Sequence, residues 1–200
     1  MRNSRTLFRV LALAAAILVG PPAGYAGYLL ATGNVHTVEP EILYRSGQLD
    51  DDDLEALIRQ KGIRSVLNLR GVHPLEAWSR EETLVAAEYG IDYYAVPISA
   101  RSVPDMATMT RIARIMKNAP KPILVHCQGG ADRSGLASAI FEYAVDGDTA
   151  EEAADQLSWR YGHFPWFGSR TAAMDDAFAL FAAKWSSSEL PAKAGQKARP

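Results

Sequence analysis

A single cysteine in this chain is followed, after five residues, by an arginine. Cys127 stands in the segment VHCQGGADRSG, in which Arg133 precedes a serine and a glycine. Gly129 and Gly130 lie between them and allow consecutive backbone N–H groups to point inward as an anion-binding nest. A helix that begins after the loop would add the positive end of its dipole. The segment therefore predicts a site for a phosphate-like dianion.

The same positive field would act on the cysteine. It stabilises a thiolate, so we expect Cys127 to be nucleophilic at neutral pH without a neighbouring base. Arg133 offers a planar fork of donors that fits two phosphoryl oxygens and the charge of a transition state. A packed structural thiol is the alternative interpretation of Cys127. A lone cysteine excludes an intramolecular disulfide and a cysteine-rich metal cluster, and we expect no metal or cofactor.

Strands and helices alternate around this segment. Strand patterns occur at 43–47, 65–69, 91–98 and 123–125, and the last is wholly apolar, which is typical of a central, buried strand. Helical patterns occur at 51–59, 81–89, from Pro104 to the prolines at 120 and 122, and at 134–145, 149–161 and 169–185. This order predicts the α/β class: one domain with a central, mostly parallel sheet flanked by helices.

The N-terminal residues 1–32 have the pattern of an export signal. Arg2, Arg5 and Arg9 precede an apolar run, and no further charge occurs before Glu39. One interpretation is a cleaved signal peptide, in which Pro21 and Pro22 break the helix. The other is a membrane anchor over 10–30, which we favour slightly. Both place the rest of the chain outside the cytoplasm, anchored on the periplasmic side of a membrane or free in the periplasm or medium.

Composition limits the remaining chain to one domain. Hydrophobic residues make up 48% of the sequence and charged residues 22%, and we place the domain at 33–187 and a disordered tail at 188–200. The net charge of -2 comes from scattered charges of both signs. A basic surface of the kind that binds a nucleic-acid backbone is therefore not expected.

The cysteine segment resembles the H-C-x5-R-[ST]-G signature of the protein tyrosine phosphatases, and more closely of their compact dual-specificity branch. The segments LYRSGQ at 43–48 and LNLRG at 67–71 resemble parts of bacterial and fungal atypical members. The resemblance implies metal-independent hydrolysis of a phosphorylated protein or a small phosphomonoester, through a phosphocysteine on Cys127. It implies that His126 orders the loop and that Ser134 hydrogen-bonds the sulfur. The implied phosphate-binding residues are Gln128, Gly129, Gly130, Ala131, Asp132 and Arg133.

The resemblance also implies a general acid, for which the sequence offers two aspartates. The family usually places it on the loop after the strand that ends here near Pro97, and this loop contains Asp105. Asp132 is the second candidate, because C-x4-D-R also resembles the loop of the myotubularins and of secreted bacterial phosphatases. We favour Asp132 narrowly. A structural role is open for each: an ion pair or hydrogen bonds for Asp132, and the start of a helix for Asp105.

Two other functions are compatible with parts of the pattern. A catalytically impaired phosphate-binding module would keep the loop without the acid, and a rhodanese-like sulfurtransferase also carries a cysteine in a loop before a helix. Arg133-Ser134-Gly135 argues against the sulfurtransferase. Among the remaining residues, we expect His163 on the surface or in packing, and an ion pair between Arg70 and Glu81 or Glu82. The aromatic residues at 159–167 are expected to pack in the core.

Overall fold

The computed structural model describes residues 2–166 and 168–185, so the tail predicted at 188–200 lies outside the described residues. A five-stranded sheet has the order β1-β2-β5-β3-β4. Only the edge strand β1 is antiparallel to its neighbour, and the remaining pairs are parallel. The strands are β1 (His36–Glu39), β2 (Leu43–Ser46), β3 (Ser65–Asn68), β4 (Asp92–Ala95) and β5 (Ile123–His126).

Helices cover both faces of the sheet. The α-helices are α1 (Arg2–Ala31), α2 (Asp51–Lys61), α3 (Ala77–Glu88), α4 (Met106–Asn118), α5 (Asp132–Phe141), α6 (Ala150–Ala154) and α7 (Ala173–Lys184). Apolar residues of α2 and α3 pack with Val66 and Leu124 on one face. Residues of α4 and α5 pack with Leu67 and Val125 on the other face, and α7 packs outside them. The predicted α/β class, with a mostly parallel sheet flanked by helices, is confirmed.

The order of the strands places the functional segment at the centre of the sheet. β5 lies between β2 and β3 and is buried along its length. Its side chains alternate between the two helical layers, as expected for a central parallel strand. The carboxyl ends of the parallel strands meet at one edge, and Cys127 follows β5 at that edge.

The chain departs from the predicted helix at 149–161. α6 ends at Ala154, and after it come a non-helical stretch and a single 3-10 turn, Trp159–Tyr161. The reason is tertiary: the backbone oxygen of Gln156 accepts a hydrogen bond from the buried Arg45, so it does not serve a helical N–H. Apolar spacing alone cannot reveal this competing partner. The edge strand β1 was not predicted either, because its four residues carry no clear alternation.

The N-terminal segment forms one helix, α1, that runs through Pro21 and Pro22. The predicted break at these prolines is therefore wrong, because proline removes one backbone donor but its φ angle is compatible with a helix. Within the described residues no helix is long and apolar enough to span a membrane. The end of α1 contacts the domain, where Leu29 is buried and Tyr25 lies against Trp159.

Candidate active site

The predicted loop joins β5 to α5, which begins at Asp132. Cys127 is the first residue after β5 and is 2% exposed. Its N–H donates to the carbonyl oxygen of Ser46 at the end of β2, over 3.4 Å. The cysteine is thus fixed at the base of a loop that opens at the carboxyl edge of the sheet.

Four successive backbone carbonyls of the loop have partners on its outer side. The Gln128 oxygen accepts from the N–H of Gln48 (3.1 Å), and the Gly129 oxygen accepts from Nδ2 of Asn34 (2.8 Å). The oxygens of the two following residues, Gly130 and Ala131, accept from Nη2 of Arg45 (2.8 and 2.9 Å). In a trans peptide the C=O and N–H groups point in opposite directions. Four successive peptides therefore present their N–H groups to the inside of the loop, which forms an anion nest.

Arg45 makes the largest contribution to this arrangement. Its guanidinium is fully buried, stacks on the Tyr161 ring (4.1 Å) and also donates from Nη1 to both oxygens of Gln156. Burial lowers the pKa of Arg45 to about 10, although Tyr161 and nearby acidic groups oppose the shift. At neutral pH it is still a cation directly behind the phosphate site. Sequence reasoning missed this role, and the available signal was an arginine in the middle of a strand that is otherwise buried.

Close packing leaves no room for a side chain at one loop position. Gly130 has a φ of +72°, and a Cβ there would lie 2.6 Å from the backbone nitrogen of Gly47. The loop and the chain after β2 therefore meet backbone to backbone, which explains Gly130 in the loop and Gly47 in the LYRSGQ segment.

Arg133 lies in the first turn of α5 and is half-buried. Its Nη1 is 3.4 Å from the carbonyl oxygens of both Leu69 and Ile98, which are long contacts at the ends of two neighbouring strands. In the part of the chain that the structure describes, no carboxylate forms an ion pair with Arg133. Its guanidinium is thus held at the rim of the loop with donors available for an anion.

The two residues expected to support the cysteine have different partners. Ser134 is buried, and its hydroxyl donates to the Ser46 carbonyl (3.2 Å), so the implied hydrogen bond to sulfur is not the one present. His126 is buried on the other face of the sheet, where Nε2 contacts Glu82 Oε1 (3.2 Å). Burial opposes ionisation of Glu82, but hydrogen bonds with His126, Tyr93 and Gln48 outweigh it and lower its pKa to about 2.

The predicted ion pair between Arg70 and Glu81 or Glu82 is replaced by a chain of hydrogen bonds through Gln48. Arg70 donates to Oε1 of Gln48 (2.9 Å), whose amide donates to Glu82 (2.6 Å), and the guanidinium stacks on Trp78 at 3.4 Å. Burial and the nearby charge of Arg133 lower the pKa of Arg70. Two guanidinium groups therefore face the same end of the sheet.

The two candidate acids lie in different environments. Asp105 is exposed at the N-cap of α4, where its side chain accepts from the N–H of Thr108 (2.7 Å). Hydrogen bonds with the side chain and the backbone of Thr108 lower the pKa of Asp105. Asp132 lies in the loop, and its Oδ1 is 2.7 Å from Nδ1 of His163. The other ring nitrogen of His163 is 2.9 Å from Oδ2 of Asp175. Each aspartate thus has a structural hydrogen bond.

His163 packs in the interior, which is one of the two places predicted for it. Its exposure is 0%, and it lies between two carboxylates. Burial opposes protonation of the ring, whereas hydrogen bonds with Asp132 and Asp175 favour it, and the net effect raises the pKa of His163. The predicted aromatic core at 159–167 is only partly correct: Tyr161 is buried, but Trp159, Phe164 and Trp166 are exposed.

Comparison with known proteins places this site in a family. A family model described as "PTP-NADK: DSP-PTPase phosphatase fused to NAD+ Kinase" matches residues 30–172. Cyclin-dependent kinase inhibitor 3 of Mus musculus is 35% identical over 74 residues, a match that spans 35% of this chain and 35% of that protein.

Solved structures share the fold. TpbA of P. aeruginosa in complex with phosphotyrosine superposes with a TM-score of 0.58 at 20% identity, covering 76% of this chain and 92% of that chain. The catalytic core of the PP-IP phosphatase SIW14 of S. cerevisiae gives 0.57 at 21% identity, covering 79% and 94%. Tk-PTP in its active form gives 0.57 at 18% identity, covering 76% and 98%.

The matched residues contain the whole loop from Cys127 to Arg133 together with the strands and side chains that hold it. The chain therefore belongs to the dual-specificity and tyrosine phosphatase family of cysteine-dependent phosphatases.

Proposed function

We propose that the protein hydrolyses phosphomonoesters through a phosphocysteine on Cys127, with Arg133 as the phosphate clamp. The observation that supports this most directly is the outward orientation of four successive loop carbonyls, because it directs the intervening N–H groups to the inside. An anion bound there would lie at the N-terminus of α5 and within reach of the Arg133 guanidinium.

The reaction has two steps in this proposal. The Cys127 thiolate attacks phosphorus, the bond to the ester oxygen breaks, and the alkoxide or phenolate leaves with that electron pair and takes a proton from water. Water then attacks the phosphocysteine, the S–P bond breaks, and phosphate and thiolate are released. The N–H nest and Arg133 stabilise the charge on the phosphoryl oxygens in both transition states. The buried cation of Arg45 lies behind the loop and adds to the positive field at the site.

Phosphotyrosine is the substrate class that this site favours. Both candidate acids are engaged, Asp105 with a helix N-terminus and Asp132 with His163. A phenolate leaves without a proton far more readily than an alkoxide, because the pKa of tyrosine is only about 10. The complex of TpbA with phosphotyrosine shows that a protein of this fold binds the group. We therefore propose phosphotyrosine in proteins, or a small aryl phosphate, as the substrate.

The engagement of both candidate acids in other hydrogen bonds also favours a second candidate function. A chain without a placed acid could bind phosphorylated groups and hydrolyse them poorly, as the impaired phosphate-binding module does. Intact Cys127 supports the enzyme, since a binding module needs no nucleophile. The two functions differ in turnover and not in affinity for phosphate.

Export remains part of the proposal. The three arginines at 2, 5 and 9, followed by an apolar run, support delivery of the domain across a membrane. A reporter that works only outside the cytoplasm, fused to the C-terminus, should be active. Strong activity of a reporter that works only in the cytoplasm would contradict export.

Hydrolysis of p-nitrophenyl phosphate tests the catalytic proposal. We expect wild-type turnover that EDTA leaves unchanged and that vanadate inhibits, and we expect Cys127→Ser and Arg133→Ala to abolish it. Phosphate binding should survive in Cys127→Ser and be lost in Arg133→Ala. Turnover by Cys127→Ser would refute the cysteine mechanism. Tight phosphate binding by a wild type that does not turn over would identify the binding module.

A further inference from the structure

His163 connects three parts of the fold. It follows the 3-10 turn Trp159–Tyr161, and its ring lies between Asp132, the first residue of α5, and Asp175, in the first turn of α7. The two N···O distances are 2.7 and 2.9 Å, and the ring is completely buried. No part of the proposed catalytic steps uses this residue.

The geometry determines the charge of the ring. An ionised carboxylate only accepts hydrogen bonds, so both ring nitrogens must carry a proton to bond both aspartates. The titratable groups that face the ring are Asp132 from α5 and Asp175 from α7, and Arg45 from β2 lies beyond Tyr161 of the adjoining turn. One buried cation between two partly exposed anions is a balanced arrangement, whereas a neutral ring would leave one carboxylate without a donor.

The charged ring also anchors Asp132. A hydrogen bond from an imidazolium to a carboxylate is charge-assisted, and the distance of 2.7 Å between Nδ1 of His163 and Oδ1 of Asp132 fits such a bond. On the basis of the proposed phosphatase function, we infer that His163 is a positioning residue. It holds the side chain of Asp132 and thereby fixes the junction between the phosphate loop and α5.

The turn that carries His163 also reaches the other supports of the loop. The Tyr161 ring lies under Arg45, and the Tyr161 carbonyl accepts from Asn34 Nδ2 at 2.9 Å. Asn34 and Arg45 are the two side chains that turn the loop carbonyls outward. Residues 159–163 therefore contact and support all three of Asn34, Arg45 and Asp132. Loosening the contact of His163 displaces the backbone next to the Arg133 clamp.

This inference changes the role predicted for Asp132. Oδ1 of Asp132 is engaged by the ring of His163, so we expect Asp132 to act by holding the loop and not as the general acid. Asp132→Asn should then reduce kcat/KM by a similar factor with phenyl phosphate and with p-nitrophenyl phosphate. A general acid would instead show a much larger loss with the poorer leaving group, phenyl phosphate. A strong leaving-group dependence in Asp132→Asn would overturn the inference.

The pH dependence supplies a second test through Asp175→Asn, with Asp176→Asn as the matched control on the neighbouring, exposed position of α7. Asp175 is 41% exposed, so its amide variant should fold. Loss of its charge should lower the pKa of His163. As pH rises through that pKa, the ring loses a proton and one of its two bonds. We expect the basic limb of the pH profile of kcat/KM to lie about one pH unit lower in Asp175→Asn than in the wild type. At pH values above that limb, the kcat/KM of the variant should be up to about tenfold lower than that of the wild type.

The titration of His163 itself keeps this inference separate from the proposed function. Ring NMR signals, assigned by their disappearance in His163→Gln, should titrate above the ordinary histidine value of about 6.5 in the wild type and lower in Asp175→Asn. This measurement does not need turnover, so an inactive wild type would refute the phosphatase and leave the His163 result standing. A ring that titrates at or below the ordinary value, or a basic limb equally placed in Asp175→Asn and Asp176→Asn, would refute the inference.

Discussion

Behind the phosphate loop, the side chains of Asn34, Arg45 and His163 are buried and contact it by hydrogen bonds. In front of it, residues 97–105 connect β4 to α4 and are mostly exposed. The rear contacts join the loop to β2, to the segment after α1 and to the turn before α7. The front segment accepts a hydrogen bond from Arg133 at the carbonyl oxygen of Ile98.

The difference follows from what each side must do. N–H groups stabilise a transition state only when they are already oriented, so the rear of the loop requires fixed partners. The front faces the leaving group, and an exposed segment can admit ester groups of different size. We therefore expect substitutions behind the loop to change catalysis and stability together, and substitutions in front to change little.

The largest effect is expected at Arg45. Arg45→Met leaves the oxygens of Gly130 and Gln156 without their donor, and leaves the Ala131 oxygen with the N–H of Gly135 alone. The loss should cost about 3 kcal/mol in the free energy of unfolding and, through the misplaced loop, on the order of a hundredfold in kcat/KM. Arg45→Lys should rescue little, because an ammonium lacks the planar fork that spans two peptides. Urea denaturation and phosphatase assays measure both. Full activity in a destabilised Arg45→Met would show that the rear contacts do not orient the nest.

The next largest effect is expected at Glu82, whose ionisation should make the free energy of unfolding depend on pH. Its pKa of about 2 in the folded state lies below its ordinary value of 4.5, so the stabilisation is complete above that ordinary value and is lost as pH falls towards 2. It amounts to roughly 3 kcal/mol. Unfolding of wild type and Glu82→Gln should differ most near neutral pH and converge near about pH 2. A difference that does not change with pH would contradict the assignment.

A smaller effect is expected at Asn34, whose φ of +49° is in the left-handed region. Asn34→Gly keeps this backbone and removes only the side-chain bonds, which should lower kcat/KM about tenfold. Asn34→Ala should lose a further ~1 kcal/mol of stability from backbone strain. Equal stability of the two variants would show that the backbone relaxes there.

The smallest effect is expected in front of the loop, at Asp105. Asparagine caps a helix as well as aspartate does, so Asp105→Asn should change stability by less than about 0.5 kcal/mol, whereas Asp105→Ala should lose ~1 kcal/mol. Neither should change kcat/KM by more than about twofold with either phenyl or p-nitrophenyl phosphate. If Asp105→Asn loses activity mainly with phenyl phosphate, the front segment closes over the site and the contrast between the two sides is wrong.

Local patterns were sufficient for much of the fold. The apolar run before Cys127 predicted a central strand, and caps and prolines located α2 and α4 closely. The pattern was less reliable where a helix ends for tertiary reasons, as at 149–161, where the Gln156 carbonyl serves Arg45. It also could not show that β1 adds an antiparallel edge to the sheet.

For the site, the sequence by itself determined the reactive segment, because a nest, a nucleophile and a clamp within one loop are all local in the chain. The tertiary structure decided which residues support that segment. Asn34, Arg45 and His163 are 95, 85 and 31 residues from their partners in the loop, and no spacing rule connects positions so far apart. Burial then decided their chemistry: it makes an unpaired charge costly, so His163 is satisfied only with carboxylates at both ring nitrogens.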